Sequence, residues 1–272
     1  MIPRANITSW RKTAPWPDDA RVEQDLILSR AIVEIFRRPA VAEQALFRGG
    51  TALHKLFFRP PGRYSEDIDL VQRDARPIGP LIDAMRSALD PWLGNPGWKA
   101  AHGRFTLDYR FETTAAPVVR MRVKLEINTR EHFTIHGVAR RGFAVANPWF
   151  SGGANVTTYR LPELLGTKLR ALYQRKKGRD LFDIALGLDH PETDTSMLIA
   201  AFERYMAWGG TPVPRARFEA NMAKKMGDAA FLDDVPALLR TGIAYDPREA
   251  WSRVHDAIVK RLPGDPWKGR AG

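Results

Sequence analysis

The chain has 272 residues, a formal net charge of +11 and no cysteine. With 44% hydrophobic and 27% charged residues, it has the composition of a folded globular protein rather than of a disordered chain. The absence of cysteine excludes disulfides and thiolate metal sites. The positive surplus favours a polyanionic partner such as nucleic acid or a nucleotide. The lack of cysteine is consistent with a reducing cytosol.

Neither a secretion signal nor a membrane span is predicted. The first ten residues lack the apolar core of a signal peptide. No segment approaches the ~20 apolar residues that a membrane-spanning helix needs. We therefore expect a cytoplasmic location and no membrane partner.

Up to about residue 158, helical and strand patterns alternate. Apolar periodicity of about 3.6 residues and proline or glycine breaks predict helices at 22–37, 51–58 and 80–89. Short apolar or alternating runs predict strands at 45–48, 65–72, 104–111 and 118–128, with further strands between 143 and 159. The segment 91–97 is predicted to be an irregular linker. The strand at 118–128 alternates cleanly, so one of its faces is expected to be buried.

After residue 160 the pattern is helical. Pro162 stands in the first turn of a helix that starts at Leu161, a position that suits proline. Further helices are predicted at 179–188, 194–208, 215–226 and 248–261. The sequence therefore predicts an α+β fold, with a mixed sheet and flanking helices in residues 1–158 and a helical domain in residues 159–272.

Asp67 and Asp69 are the first chemistry-bearing pair. Residues two apart in a strand face the same side, and two carboxylates on one face repel each other unless a cation lies between them. Carboxylate and phosphate oxygens are the ligands of Mg²⁺. Glu126, on an alternating strand, is the candidate third carboxylate of a two-metal site, and Lys124 faces the same side, within reach of a phosphate. The alternative is an exposed strand face with solvated charges.

A Gly-Gly turn lies between the predicted strand and helix upstream of these aspartates. Gly49 and Gly50 have no Cβ, so backbone N–H groups there can approach a phosphate. Thr51 can cap the helix or donate its hydroxyl. The spacing matches neither a Walker P-loop nor a Rossmann fingerprint. The alternative is a strand–helix turn whose small residues serve packing.

A second cluster runs from Lys168 to Asp183. If the first helix continues, Lys168, Arg175 and Arg179 share one stripe that can hold a triphosphate or an RNA backbone. The alternative is structural, with Arg179 pairing with Asp183 four residues on and Asp180 capping the next helix.

Together these motifs resemble the AbiEii/AbiGii-type nucleotidyltransferase toxins of the DNA-polymerase-β-like nucleotidyltransferase superfamily. The resemblance spans roughly residues 7–190. It rests on residues 49–53 with 63–70, on 123–127, on Lys168 with 179–183, and on the stretch 23–30. It implies a nucleotidyltransferase fold whose helical C-terminal domain contributes to the nucleotide and acceptor site.

The resemblance also implies an activity. Related proteins are toxins of bacterial toxin–antitoxin or phage-defence (abortive infection) systems that use a nucleoside triphosphate (NTP) and Mg²⁺, or Mn²⁺, to add nucleotides to RNA. In known cases the acceptor is the end of tRNA, and translation stops. A cognate antitoxin is the expected protein partner.

The resemblance implies roles for individual residues. The expected catalytic residues are Asp67, Asp69, Glu126 and Lys168. The three carboxylates are expected to bind metal, with Glu126 also a possible base for the acceptor hydroxyl. The expected nucleotide-binding residues are Gly49, Gly50, Thr51, Ser65, Lys124, Arg179, Asp180 and Asp183. Lys168 and Arg179 would neutralise developing phosphate charge, and Asp180 and Asp183 would orient that cluster or contact the nucleoside.

Ser65 lies two residues before Asp67. Phosphorylation there is expected to place negative charge against the carboxylates and to block binding of metal and nucleotide.

Two other functions fit the same residues. In one, the fold transfers a nucleotide to a hydroxyl of a protein or of a small molecule such as an aminoglycoside. In the other, the protein is a catalytically silent module that binds a nucleotide or an antitoxin. The charge of +11 favours RNA, and the presence of all three carboxylates argues against a silent protein.

Overall fold

The structure is a computed structural model that describes residues 2–114 and 116–269. The chain divides into two compact units between residues 159 and 160. The first unit contains a mixed sheet with flanking helices, and the second is helical. This arrangement agrees with the α+β pattern expected from the sequence.

Seven strands form one sheet in the described part of the first unit. They are β1 (Ala45–Arg48), β2 (Asp67–Gln72), β3 (Gly97–Ala101), β4 (Arg104–Glu112), β5 (Arg120–Asn128), β6 (Val138–Asn147) and β7 (Phe150–Tyr159). Their order across the sheet is β3-β4-β5-β2-β1-β7-β6. Strand β2 runs parallel to β5 and antiparallel to β1, while β1 runs parallel to β7. The central position of β2 therefore brings Asp67 and Asp69 directly beside β5.

Five helices accompany the sheet in the residues of the first unit that the structure describes. They are α1 (Arg4–Trp10), α2 (Asp19–Phe36), α3 (Pro39–Gln44), α4 (Gly49–Ala52) and α5 (Gly79–Leu93). Helix α4 continues without a break into one π-helical segment, Leu53–Phe57. Asp18 caps α2, because its side chain accepts a hydrogen bond from the Arg21 N–H at 2.8 Å. Helix α2 is buried on almost every side and packs against β5, β6 and β7.

The alternation of β2 and β5 separates the core from a polar face. Ile68 and Leu125 are fully buried, whereas Asp67 and Glu126, on the other face, are half-buried. Since side chains in a strand alternate between faces, the apolar residues of these strands fix which way their charged residues point. The alternation expected for β5 is observed.

A buried carboxylate joins the N-terminal helices to the segment after α4. Asp25 is 1% exposed. It accepts hydrogen bonds from Trp10 Nε1 at 2.9 Å, Trp16 Nε1 at 3.0 Å and Lys55 Nζ at 2.7 Å. Removing one member of such a network leaves a buried charge unpaired, at a cost of about 3–5 kcal/mol. Asp25 therefore anchors the π-helical segment to the core.

The described residues of the second unit are mainly helical. Its helices are α6 (Leu161–Gln174), α7 (Gly178–Gly187), α8 (Thr195–Trp208), α9 (Arg215–Met226), α10 (Ala229–Leu232) and α11 (Pro247–Ala257), with 3₁₀ turns at Pro236–Leu238 and Val259–Arg261. Helix α6 packs closely on α8 at Gly166, where a Cβ would lie 2.8 Å from the Ala201 Cβ. None of the helices in residues 2–114 and 116–269 is long and apolar enough to cross a bilayer.

The structure differs from the sequence prediction in several elements, among them the unpredicted helices α1, α3 and α10. Helix α5 runs through Pro91 to Leu93, so the irregular linker is shorter than expected, and the unpredicted strand β3 begins at Gly97. Every residue of β3 is exposed, so this strand carries no alternating signal. Helix α7 lies close to the helix predicted at 179–188, and since α6 ends at Gln174, the continuous helix on which the cationic stripe depended does not form.

Candidate functional site

Four charged side chains converge on the polar face of β2 and β5, and we call them the carboxylate face: Asp67, Asp69, Lys124 and Glu126. In the parallel register Asp67 pairs with Lys124 and Asp69 pairs with Glu126. Residues paired in this way on adjacent strands point to the same side of the sheet. The two strands that were predicted to carry the acidic residues are thus neighbours, with the acidic residues level with each other.

Lys124 lies between two of these carboxylates. Its Nζ is 3.0 Å from Asp67 Oδ2 and 3.7 Å from Glu126 Oε2. Partial burial lowers the pKa of Lys124, but the hydrogen bond to Asp67 and the charges of Asp67, Glu126 and Asp69 outweigh burial and raise the pKa above its ordinary value. Lys124 is therefore charged at neutral pH and partly neutralises the face.

The carboxylate face fits a divalent cation by its donor atoms. Asp67 Oδ1 is buried and makes no hydrogen bond, and a buried carboxylate oxygen without a partner carries a desolvation cost that a cation can remove. All three acidic side chains offer oxygen donors, which suit Mg²⁺ or Mn²⁺. As the side chains are placed in residues 2–114 and 116–269, no three acidic or histidine residues enclose a metal position. The Lys124 ammonium lies among the carboxylates instead.

The Gly-Gly turn packs directly against the carboxylate face. Gly49 has a φ of +79°, which favours glycine, and a Cβ there would lie 3.0 Å from Asp69 Cγ and closer to Oδ2. A Cβ on Gly50 would meet the Arg63 guanidinium and lie 3.1 Å from Ser65 Oγ. Both glycines therefore make room for polar side chains of this chain. This supports the alternative given above, in which the small residues of the turn serve packing.

Thr51 links the turn to β2. Its hydroxyl donates to the Asp67 carbonyl oxygen at 2.5 Å and lies 2.8 Å from Ser65 Oγ. Since the single Thr51 proton goes to the carbonyl, Ser65 donates to Thr51. Arg48, not Thr51, is the N-cap residue of α4. Thr51 is therefore not the cap of α4, and its hydroxyl donates within the chain, to the Asp67 carbonyl.

Several residues beside the site were not singled out from the sequence. Arg48 forms an ion pair with Glu131 at 2.6 Å. Burial lowers the pKa of Arg48, but the charges of Glu131, Tyr159 and Asp69 raise it overall. Arg104 Nη1 lies 3.6 Å from Glu126 Oε1. Arg48 directly precedes the Gly-Gly turn, so its place in the sequence could have indicated that it lies beside the site. The contact of Arg104 with Glu126 could not be predicted in this way, because it depends on the register of β4 against β5.

The second cluster forms a buried ion network inside the helical unit. Lys168 Nζ lies 3.0 Å from Asp180 Oδ1 and 2.8 Å from Asp183 Oδ2. Arg175 binds Asp180 with two hydrogen bonds, of 2.6 and 2.8 Å. Burial raises the pKa of Asp180, but Lys168 and Arg175 outweigh burial and hold it below its ordinary value. The helix break between α6 and α7 places these oppositely charged groups together.

Three expectations for this segment are therefore wrong. Lys168, Arg175 and Arg179 do not share a helical stripe. Arg179 does not pair with Asp183, because its backbone N–H donates to Asp234 Oδ2 at 3.1 Å and its guanidinium faces the same carboxylate. The N-cap residue of α7 is Lys177, so Asp180 is not the cap.

The chain matches a known protein family over most of its length. The family model "Nucleotidyl transferase AbiEii toxin, Type IV TA system" matches residues 30–257. No curated protein sequence shows significant similarity to the chain.

Solved structures share the fold. The nucleotidyltransferase toxin MenT4 of Mycobacterium tuberculosis superposes with a TM-score of 0.62 at 14% identity, covering 97% of this chain and 91% of that one. JHP933 of Helicobacter pylori gives a TM-score of 0.52 at 19% identity, covering 89% and 91%. At these identities the comparison shows a common fold, and it confirms the predicted mixed sheet with flanking helices followed by a helical region.

Proposed function

Because the chain belongs to the AbiEii nucleotidyltransferase toxin family, we propose that it transfers a nucleoside monophosphate from an NTP to a hydroxyl of RNA. The acceptor we propose is the end of tRNA, where an added nucleotide blocks translation. The observation that carries the proposal is the parallel register that sets Asp69 beside Glu126 and Asp67 beside Lys124. The net charge of +11 supports an RNA acceptor.

The reaction is a displacement at the α-phosphorus. The acceptor oxygen forms a bond to this phosphorus, the bond from the phosphorus to the bridging oxygen of the β-phosphate breaks, and pyrophosphate leaves with the electron pair. Glu126 accepts the proton of the attacking hydroxyl as general base. Its position on β5, level with Asp69 on β2, supports this role.

The remaining groups of the first unit bind and orient the substrate. Asp67, Asp69 and Glu126 would hold Mg²⁺ or Mn²⁺, which when bound stabilises charge on phosphate oxygens and makes the acceptor hydroxyl more acidic. Backbone N–H groups at Gly49 and Gly50 would bind the triphosphate. The Ser65–Thr51–Asp67 hydrogen bonds keep β2 in register with the turn.

In the helical unit, Lys168 and Arg179 would neutralise the negative charge that develops on the phosphate during transfer. Asp180 and Asp183 hold the Lys168 ammonium from two sides, so their role is to fix its position. We assign residues 1–158 as the nucleotidyltransferase domain and residues 159–272 as the domain that contributes to nucleotide and acceptor recognition.

The biological setting we propose is a toxin of a bacterial toxin–antitoxin or phage-defence system, acting in the cytoplasm and neutralised by a cognate antitoxin. The family description names a type IV toxin–antitoxin system. Expression of the toxin alone should stop growth, and co-expression of the antitoxin should restore it.

The test is incubation of the purified protein with total bacterial RNA, Mg²⁺ and each radiolabelled NTP in turn. A labelled band of tRNA size is expected, and Asp69→Ala should abolish it. Asp74→Ala is the matched control, because Asp74 follows β2 but is 47% exposed and pairs with Arg76. Growth arrest without labelled RNA would refute an RNA acceptor in favour of a protein or small-molecule hydroxyl. Neither label nor arrest would favour a silent binding module.

A further inference from the structure

Lys124 occupies a position in the carboxylate face that a divalent cation would also use. Its ammonium lies within 3.0 Å of Asp67 and 3.7 Å of Glu126, on two strands that are held in register. The side chain is 22% exposed, so solvent screens these contacts only in part. An ammonium placed in this way neutralises the carboxylates as a tethered cation.

Two cations close to the same oxygens repel each other, so the ammonium and a divalent cation cannot both contact Asp67 and Glu126 without a large electrostatic cost. Binding of the metal therefore requires that the Lys124 ammonium move. A lysine side chain has a flexible four-carbon stem, which allows such a movement. An anionic ligand beside the face would provide a new partner for the displaced ammonium.

We propose that Lys124 is a resident cation of the carboxylate face, which competes with the divalent metal and moves to the triphosphate when the nucleotide binds. The metal alone then binds weakly, and metal and nucleotide bind together with positive cooperativity. This inference rests on the proposed function, since it assumes that the face receives a metal–nucleotide complex. It assigns to Lys124 control of the order of binding, beyond contact with a phosphate.

The experiment measures Mn²⁺ binding by electron paramagnetic resonance, first with Mn²⁺ alone and then with an α,β-methylene NTP analogue, which cannot be cleaved. Lys124→Met should bind Mn²⁺ alone about tenfold more tightly than wild type, the lower end of the effect of a neighbouring unit charge on a carboxylate. Adding the analogue should strengthen Mn²⁺ binding in wild type and much less in Lys124→Met.

Two variants serve as controls. Lys124→Arg keeps the charge and should retain the weak Mn²⁺ binding of wild type. Lys99→Met removes an exposed lysine on β3, two strands from β5, and should also behave as wild type. Circular dichroism checks folding, and Lys124→Gln, which keeps a hydrogen-bonding side chain, replaces Lys124→Met if the latter does not fold.

A second measurement uses the wild-type protein, in which Lys124 is retained. Lysines are reductively methylated with ¹³C, and the Lys124 signal is identified by its absence in Lys124→Arg. Mg²⁺ with the analogue should shift this signal more than Mg²⁺ alone at the same concentration.

The outcomes separate the two proposals. If wild type binds Mn²⁺ with the analogue but Lys124→Met binds Mn²⁺ alone no more tightly, the competition is refuted and the metal site stands. If neither protein binds Mn²⁺ under any condition, the metal-dependent function fails together with the inference.

Discussion

The sharpest prediction concerns Gly49, where the turn and the carboxylate face meet. In Gly49→Ala the backbone of the new alanine must keep a φ of +79°. Its methyl group would lie 3.0 Å from Asp69 Cγ and closer to Asp69 Oδ2. The left-handed backbone costs about 1–2 kcal/mol for a residue with a Cβ. Overpacking against a side chain that cannot move adds about 1–3 kcal/mol. If Asp69 stays in place, the variant loses about 2–5 kcal/mol of stability.

Alternatively, the Asp69 carboxylate moves away from the new methyl group and so relieves the steric clash. A displacement of about 1 Å in a catalytic group can cost about 100-fold in rate. We therefore expect Gly49→Ala to lose transfer activity by about this factor, while the stability loss falls towards the backbone contribution of about 1–2 kcal/mol. Labelled-nucleotide incorporation measures the first quantity, and denaturant unfolding measures the second.

Gly142→Ala is the matched control. Gly142 lies in β6 of the same sheet, its φ is not positive, and a Cβ there has no neighbour within 4 Å. The substitution should leave activity unchanged and shift stability by less than about 1 kcal/mol. The reasoning is refuted if Gly49→Ala retains activity within about twofold of wild type, or if both glycine variants lose the same activity.

Three further outcomes follow from the charges. Lys168→Met leaves two buried aspartates without their shared partner and should lower unfolding free energy by about 3–5 kcal/mol, measured by urea unfolding, whereas the exposed Lys224→Met should change it by less than about 0.5 kcal/mol. The pKa of Asp180 is lower in the folded state than its ordinary 3.8, so stability is lost as pH falls below that value, and Asp180→Asn should flatten this part of the acid unfolding curve. Ser65→Asp should weaken nucleotide binding in a fluorescence titration more than the uncharged Ser65→Asn does; full activity of the aspartate variant would contradict the phosphorylation hypothesis.

The carboxylate face was predictable because strand periodicity is a local property. The alternation in β5 and the Asp-x-Asp spacing in β2 fix which side chains share a face, whichever strands are neighbours. The pairing of Asp69 with Glu126 needed one further assumption, that these strands are adjacent, which the resemblance supplied and the register shows. Residues whose partners lie far away in sequence, such as Arg104, could not be placed in this way.

The segment between α6 and α7 shows where sequence reasoning failed. A stretch rich in arginine and lysine permits a continuous helix, and an extended stripe of cations followed from that assumption. The chain instead breaks at residues 175–177. Gly178 follows, and a Cβ there would clash with the Phe231 carbonyl oxygen. Gly178 is a local signal for a helix boundary, whereas its close approach to Phe231 is a tertiary contact that local propensity does not encode.

The two acidic clusters differ in charge balance, and this difference argues for different chemistry. In the helical unit, Asp180 and Asp183 are fully buried and face Lys168 and Arg175, so two negative charges meet two positive charges. Arg175 is 51% exposed, but Lys168 and both carboxylates are buried, so this cluster fixes positions because removal of Lys168 leaves buried negative charge without its shared partner.

On the sheet, the carboxylate face with its neighbouring pairs is not balanced. Asp67, Asp69, Glu126 and Glu131 carry four negative charges, whereas Lys124, Arg104 and Arg48 carry three positive charges. Within this set, Asp67 Oδ1 is buried and makes no hydrogen bond. Partial solvent exposure lets the charges rearrange at a lower cost than in the helical unit. We therefore expect exchange of cations on the sheet and rigid positioning in the helices, so that charge-removing variants should alter ligand binding in the first unit, whereas Lys168→Met in the second should lower stability in addition to transfer activity.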